Sequence, residues 1–485
     1  MEPRSVDPHR RRLTTGVVTA TVLMSSGAMV IFPLLPTLQA QLGISTADIG
    51  FMAAAGFAAA LAAELIVAPY ADRGRARSMG VVGVLLMAAA LAGSALATDT
   101  WHLVAGRALG GFGYGVFIAA ASALLVRADP ARAGESLGRL GAAELAGVSL
   151  GPLASGLAIA FAAPGAILAW SGAVVLLGVV PVALAFRERA TATATAMAMA
   201  SKTADAAAAG ATGVDAAAAS VTPAARPPRV SFDLLRSPMV VGVLLLYGAV
   251  MVPTGAYDAI WPRFMADIGA SEWLTALSYT LFAVPYALVA GWAGRLADRR
   301  GGVSAFVRGA VVLVPIVALY GVIGNPWVAT GVGFVESSGQ ALAFIGAAAA
   351  MAQTVPAARA GASQGLMRAF GLLTATIAAA LSGIAYETGG PLLLFGGTAI
   401  VVVVIIAAGL LVVRAALNSA TSVPAHPLVH DDRRGSARVD RARRAVLRDL
   451  HHEIGGGERR VAEARPLLAE EQHAALGELD VVDRQ

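Results

Sequence analysis

The chain has no cysteine, which excludes disulfides and thiolate metal sites from its 485 residues. It has one lysine, Lys202, and only 14% charged residues, where a soluble globular protein carries about a quarter. Aromatic residues are sparse too, at 6%. No Walker-type phosphate loop, nucleophile elbow or His-Glu zinc motif occurs, and the run Gly110 to Gly115 follows no predicted strand, so it is not a dinucleotide loop. The expectation is no enzyme, no metal and no cofactor. Despite a formal net charge of +5, the basic residues form no single patch with interleaved aromatics, so nucleic acid is not an expected partner.

What the chain has is long apolar runs. Hydrophobic residues make up 57% of the sequence and the mean hydropathy is +0.70. Stretches of roughly 20 apolar residues, each able to cross about 30 Å of hydrocarbon, recur between short polar or Gly/Pro breaks. The pattern predicts an all-α integral membrane protein with twelve transmembrane helices, at 14–36, 48–70, 78–98, 102–126, 137–161, 165–186, 238–262, 274–297, 303–323, 327–353, 363–385 and 391–416. They divide into two six-helix halves, 14–186 and 237–416. Residues 1–13 precede them, an Ala/Thr-rich linker with a Pro-rich exit spans 187–236, and a polar tail occupies 417–485.

Arginine marks alternate loops: Arg73, Arg75 and Arg77; Arg127, Arg132 and Arg139; Arg295, Arg299, Arg300 and Arg308; then Arg359. The opposite loops, such as 37–47, 98–100 and 387–390, lack Lys and Arg, and Arg263 alone breaks the pattern. The positive-inside bias puts the arginine-rich loops, the linker and both termini at the cytoplasmic face of a cell membrane. The Arg10 to Arg12 cluster agrees with this. The apolar stretch behind it is too long, and lacks an A-x-A site, for a cleaved signal peptide.

The halves echo each other. The basic turns ADRGRAR (Ala71 to Arg77) and GRLADRRGG (Gly294 to Gly302) place Asp72 and Asp298 226 residues apart. RAGESLG (Arg132 to Gly138) and RAGASQG (Arg359 to Gly365) agree at five of seven positions at an offset of 227. Two matches at nearly one offset predict a duplication, with parallel halves related by an axis along the membrane normal.

On these motifs the chain resembles the major facilitator superfamily, whose twelve-helix members carry a G-x-L-a-D-R-x-G-R-R type turn after helices two and eight. Gly294, Leu296, Ala297, Asp298, Arg299 and Gly301 fit that turn. The first copy departs from it, with Ala68 in the leading Gly position and Gly74 one residue early after Asp72 and Arg73. RALGGFGYG (Arg107 to Gly115) is similar to the superfamily's R-x-x-x-G-x-G motif. GVSLGPLASG (Gly147 to Gly156) is similar to the G-x-x-x-G-P-x-x-G-G motif of its drug/proton antiporter branch. The resemblance covers residues 14–416 and implies a multi-pass transporter of the multidrug efflux kind.

The residues also have a physical reading of their own. An Asp at a helix end accepts hydrogen bonds from the unpaired N–H groups of a neighbouring helix N-terminus, so Asp72 and Asp298 are expected to latch the cytoplasmic side, with Arg73, Gly294, Arg299 and Gly301 shaping the turns. Glu64, two turns before Asp72, is expected near the same latch. Gly147, Gly151 and Ser155 make a strip for close helix approach, ending at Gly156, and Pro152 removes one helix hydrogen bond.

Acids inside apolar spans are costly, at least about 2.5 to 3.5 kcal/mol on insertion scales, so each is protonated, paired or facing water. A low-dielectric surrounding favours the protonated carboxylate and a nearby Arg the charged one, so rearrangement loads and releases protons. Glu64, Glu144, Asp258 and Glu336, with Arg107 as the internal cation, are the proton-coupling candidates. Tyr114, Ser337 and Gln340 are the candidates for a substrate cavity. Arg368, one turn from Gln364 near a span end, is expected to snorkel. In the tail, His451 and His452 adjoin Glu453 without sharing a helix face, and Val439, Ala442, Val446 and Leu450 suggest an amphipathic surface helix.

The expected function is proton-driven export, by alternating access, of a small and partly apolar organic compound. The proton gradient is the energy source and the chain is expected to be monomeric in the bilayer. Acids alone do not fix direction, so proton-coupled import of a metabolite stays open, as does a non-transporting sensor or scaffold of the same fold.

Overall fold

A computed structural model of the chain describes residues 8–71, 75–128, 133–184, 232–356 and 359–421. Among these, every regular element is a helix. Helix α1 (Pro8–Met29) passes through a 3-10 turn at Phe32–Leu34 into α2 (Leu35–Leu42), the break coinciding with Pro33 and Pro36. Gly43, at φ 66°, ends α2 in the left-handed conformation that glycine adopts without penalty. There follow α3 (Thr46–Tyr70), α4 (Ala76–Ala95), α5 (Thr100–Ala128), α6 (Ala133–Ala158) and α7 (Pro164–Leu176), with further helical turns at 179–184. The C-terminal part holds α8 (Pro238–Asp267), α9 (Glu272–Arg300), α10 (Gly302–Leu319), α11 (Pro326–Thr354) and α12 (Ala360–Thr421). Asn325 starts α11 by accepting from Trp327 N at 2.9 Å and Val328 N at 3.2 Å, with Pro326 in the first turn.

Ten helical stretches among the described residues are long and apolar enough to cross a bilayer. The difference from twelve has two causes. Helix α11 has 29 residues, carries Glu336, Ser337 and Gln340 in its middle, and is not among the ten. Helix α12 absorbs two expected spans: at about 1.5 Å per residue its 62 residues measure about three hydrocarbon thicknesses. Its backbone leaves the helix at Gly390 (φ 63°, ψ −162°), directly before Pro391. The loop expected at 387–390 is thus a single non-helical residue. The linker is also shorter than expected at its exit, because Phe232–Arg236 forms a 3-10 turn with Leu234 buried.

One buried apolar cluster draws on Leu13 to Val182 and a second on Leu234 to Val402. A third joins Ala53 and Ala54 of α3 to Trp261, Tyr320 and Phe395, near the arginine-poor end of the helices. Outward-facing Leu288, Val311, Ile400 and Leu411 are each at least 66% exposed, an apolar coat suited to lipid. Trp101, Trp273 and Trp327 begin α5, α9 and α11 at the arginine-poor end and are exposed, as interfacial aromatics are.

Close helix approach positions the interior. A Cβ on Gly111 of α5 would collide with Gly56 O of α3, and one on Gly151 of α6 with Ser26 O of α1. The Gly147–Gly151–Ser155 strip therefore faces α1. Ser155 is fully buried and donates to Pro152 O at 3.0 Å, while Gly156 packs on Ala276 of α9.

Candidate functional site

A cavity with about 140 Å³ of room for the centres of water-sized molecules is lined by α1, α3, α4 and α5, by Val148 of α6, by Asp258 of α8 and by Arg368 and Leu372 of α12. Arg107 enters it from α5, where Gly111 and Gly115 bring that helix against α3. Its Nη1 donates to Ala28 O at 2.9 Å and its guanidinium lies 4.9 Å from the centre of the Phe32 ring, a cation–π distance. Its Nε is buried without a hydrogen-bond partner. Asp258 is within electrostatic reach of Arg107 and makes no hydrogen bond among the described residues.

Toward the arginine-rich end the same cavity meets a second set of charges. Arg368 Nε donates to Glu64 Oε1, and its Nη2 lies 3.6 Å from Glu144 Oε1. Tyr114 Oη, 3.1 Å from Ser25 Oγ, reaches Glu144 Oε1 at 3.4 Å. One guanidinium from the C-terminal part is thus shared by two carboxylates of the N-terminal part. Arg368, expected to snorkel, keeps part of its side chain in contact with water, but its guanidinium is directed to two acids of the N-terminal part, Glu64 and Glu144. Glu64, expected beside the Asp72 turn, instead faces this cavity.

Glu336 sits apart from the cavity. It is fully buried and accepts from Tyr257 Oη at 2.8 Å and Tyr320 Oη at 2.7 Å, inside an aromatic cluster with Trp261, Phe264 and Phe395. Ser337 and Gln340, expected in the cavity, do not line it. Gln340 Nε2 donates to Thr254 Oγ1 at 3.0 Å, while Ser337 Oγ and Gln340 Oε1 are buried without partners. Of the three cavity candidates, Tyr114 is the one that lines it.

At the arginine-rich end, Asp72 and Arg73 lie outside the described residues, as do the tail positions His451, His452 and Val439 to Leu450. Asp298 and Arg299 are exposed, and Asp298 makes no hydrogen bond among the described residues. The contact expected of an aspartate is made by Gln353: its Oε1 accepts from Gly302 N, at the start of α10, at 3.0 Å, and its Nε2 donates to Ala297 O at 3.3 Å. Gly301, at φ 85°, turns the chain between α9 and α10.

The arginine-poor end joins the two parts directly. Glu387 Oε2 accepts from Ala47 N in the first turn of α3 at 2.8 Å, and Glu272 accepts from Thr37 Oγ1. Arg263 donates from Nη1 to Gln39 Oε1 at 3.2 Å and pairs with Asp267 at 2.9 Å, and Asp267 accepts from Tyr386 Oη at 2.8 Å. Arg263 broke the loop charge pattern, and Asp267, one turn on, explains why: its charge is matched locally. Glu272, Glu387 and Gln353 gave no sequence signal, since polar residues at helix ends read as solvated.

No group of three or more His, Cys, Asp or Glu residues among the described ones is placed to hold a metal. Residues 17–258 match the family model described as Major Facilitator Superfamily. No curated protein matches the sequence. Among solved structures, a bacterial homologue of the human lysosomal transporter Spinster, inward-facing and unoccupied, aligns with a TM-score of 0.61 at 14% identity, over 85% of this chain and 96% of that one. An inward-facing, occupied form gives 0.63 at 13% identity over 87% and 100%. A point mutant of the nucleoside transporter NupG gives 0.60 at 13% identity over 83% and 99%. At these identities the likeness is one of fold. Family match and fold neighbours together indicate a transporter and not an enzyme.

Proposed function

We propose, with the superfamily match as premise, that this chain is a twelve-span secondary transporter that exports a small organic compound in exchange for protons. The two limbs of α12 on either side of Gly390 and the polar α11 complete the count, and the two parts are the halves of a parallel repeat. The arginine-rich loops and both termini face the cytoplasm.

The observation that carries proton coupling is Arg368, shared by Glu64 and Glu144 across the boundary between the parts. An arginine side chain stays charged, so the trio has one negative charge in excess, which one proton removes. When the parts move and Arg368 withdraws, both carboxylates face an apolar surrounding alone and take up protons. When it returns, protons and guanidinium compete for the same oxygens. Proton occupancy and the position of Arg368 are thereby linked, as alternating access requires.

The cross-contacts of Glu387, Glu272 and Arg263 at the arginine-poor end support a conformation closed to the outside. The exposed Asp298 accords with a cytoplasmic latch that is not engaged in this conformation. Export, as opposed to import, rests on the α6 strip with Pro152.

The test is an efflux panel in a strain lacking its own pumps, followed by everted vesicles with an imposed proton gradient. Uptake of the identified compound is expected to collapse with an uncoupler and in Glu64→Gln plus Glu144→Gln. Uptake that ignores both the gradient and these variants rejects the coupling.

A further inference from the structure

We infer that the Arg107 end of the cavity binds a small zwitterion, a molecule bearing one carboxylate and one ammonium group on an apolar frame, between Arg107 and Asp258. The inference rests on the transporter reading and names the substrate class of the same cavity.

Two unlike charges face one cavity from opposite parts of the chain, and no hydrogen bond or ion pair joins them. In a poorly hydrated interior such charges attract strongly and each is costly to leave uncompensated. They are nevertheless held apart. Arg107 is fixed by the Ala28 carbonyl and the Phe32 ring, and the collision awaiting a Cβ on Gly111 shows that its helix is seated tightly on α3.

Spare hydrogen-bonding capacity remains on both sides of the gap. Arg107 Nε is buried and unpartnered, Asp258 has all its acceptor capacity free, and Tyr279 Oη, in electrostatic reach of both, is buried without a partner. A ligand carboxylate satisfies the guanidinium and a ligand ammonium satisfies Asp258. An anion alone leaves Asp258 unmatched, and a cation alone leaves Arg107 unmatched. Phe57, Met29, Met87 and Leu91 supply the apolar wall for the frame. The cavity has room for roughly ten waters, which limits the ligand to on the order of ten to fifteen non-hydrogen atoms.

The experiment is equilibrium binding to the purified full-length chain in detergent, without any gradient, read by thermal shift and intrinsic fluorescence. The probes are matched sets: leucine, N-acetyl-leucine and leucinamide, with the methionine and phenylalanine equivalents. In at least one set the zwitterion is expected to bind about tenfold or more tightly than either singly charged derivative, the usual size for one lost charge-assisted contact. Arg107→Gln should erase the preference over the amide, and Asp258→Asn the preference over the N-acetyl form.

No binding of any zwitterion, equal binding across every set, or variants that keep the full preference overturn the inference. Because the wild-type comparison stands without the variants, poor folding of either does not protect it. Because binding is measured without a gradient, failed proton coupling at Glu64 and Glu144 leaves this result readable, and the reverse holds as well.

Discussion

Glu336 and Glu144 are both carboxylates inside apolar helices, yet they are built in opposite ways. Glu336 has each oxygen held by a tyrosine hydroxyl, Tyr257 from α8 and Tyr320 from the 3-10 turn (Tyr320–Val322) that follows α10, and all three elements belong to the C-terminal part. Glu144, with Glu64, depends on an arginine carried by the other part, and Glu64 and that arginine line the cavity. Glu336 is fully buried, whereas the Glu144 and Arg368 side chains are partly exposed. On the proposed function a further difference follows: the partner of Glu144 moves relative to the acid, and a movable partner turns an acid into a coupling element. The Glu336 site is rigid by the same reasoning, an inner brace for the aromatic cluster.

The largest effect is expected at Arg368. Removing one partner of a desolvated pair typically costs about 3 to 5 kcal/mol, less where water reaches the pair, and the Arg368 side chain is 38% exposed. Arg368→Gln should lower gradient-driven flux in proteoliposomes at least about tenfold, with Arg368→Lys in between because it keeps the charge but not the fork. Wild-type flux in Arg368→Gln would end the comparison. Next in size is a crossed pair of variants. Glu336→Gln should lower Tm by a few degrees, through the loss of about 1 to 3 kcal/mol of hydrogen bonding, and leave flux per folded molecule within about twofold. Glu144→Gln should do the reverse, and the two sites have been wrongly distinguished if both variants behave alike.

Much of this was visible in the sequence, and the parts that were not share a cause. The spans, the glycine strips and the four acids stand out because each departs from an apolar background. Arg368 does not stand out, since an arginine about two turns from a helix end reaches water by default, and only the folded arrangement shows that two acids compete for it. The Asp298 expectation had the right physics, a polar side chain meeting a helix N-terminus, but in this structure Gln353 meets α10 and Glu387 meets α3. Sequence spacing ranks such contacts within a helix. It has no means of ranking them between helices that meet only in three dimensions.

A smaller effect is expected at the arginine-poor end, where Glu272 and Glu387 join the parts on the side away from Arg368. The chain has no native cysteine, so Leu372→Cys places a sole thiol in the cavity wall. Adding Glu272→Gln and Glu387→Gln should speed its labelling by a membrane-impermeant thiol reagent from outside by about threefold to tenfold. That size follows from two exposed or half-exposed charge contacts of about 0.3 to 0.7 kcal/mol each. An unchanged rate would mean that these acids do not hold the outer side shut, and that the Arg368 layer alone keeps the parts together.

The smallest effect concerns the exposed counterpart of the Arg368 pair. Arg359 donates to Asp233, tying the 3-10 turn before α8 to the turn before α12, and this hydrogen bond holds the Asp233 carboxyl below the usual carboxylate range. A depressed folded value means that the tie contributes fully above the ordinary aspartate range and is lost as pH falls through the folded value. Hydrogen exchange across Phe232–Arg236 should therefore be steady from neutral pH down to about pH 4, after allowing for the intrinsic pH dependence of exchange, and rise below it. Arg359→Ala should show the raised exchange already at neutral pH, with flux unaffected. If acid also abolished flux in step with this exchange, an exposed pair would be contributing to coupling. The division between fixed and movable partners would then have to be redrawn around the loop instead of the cavity.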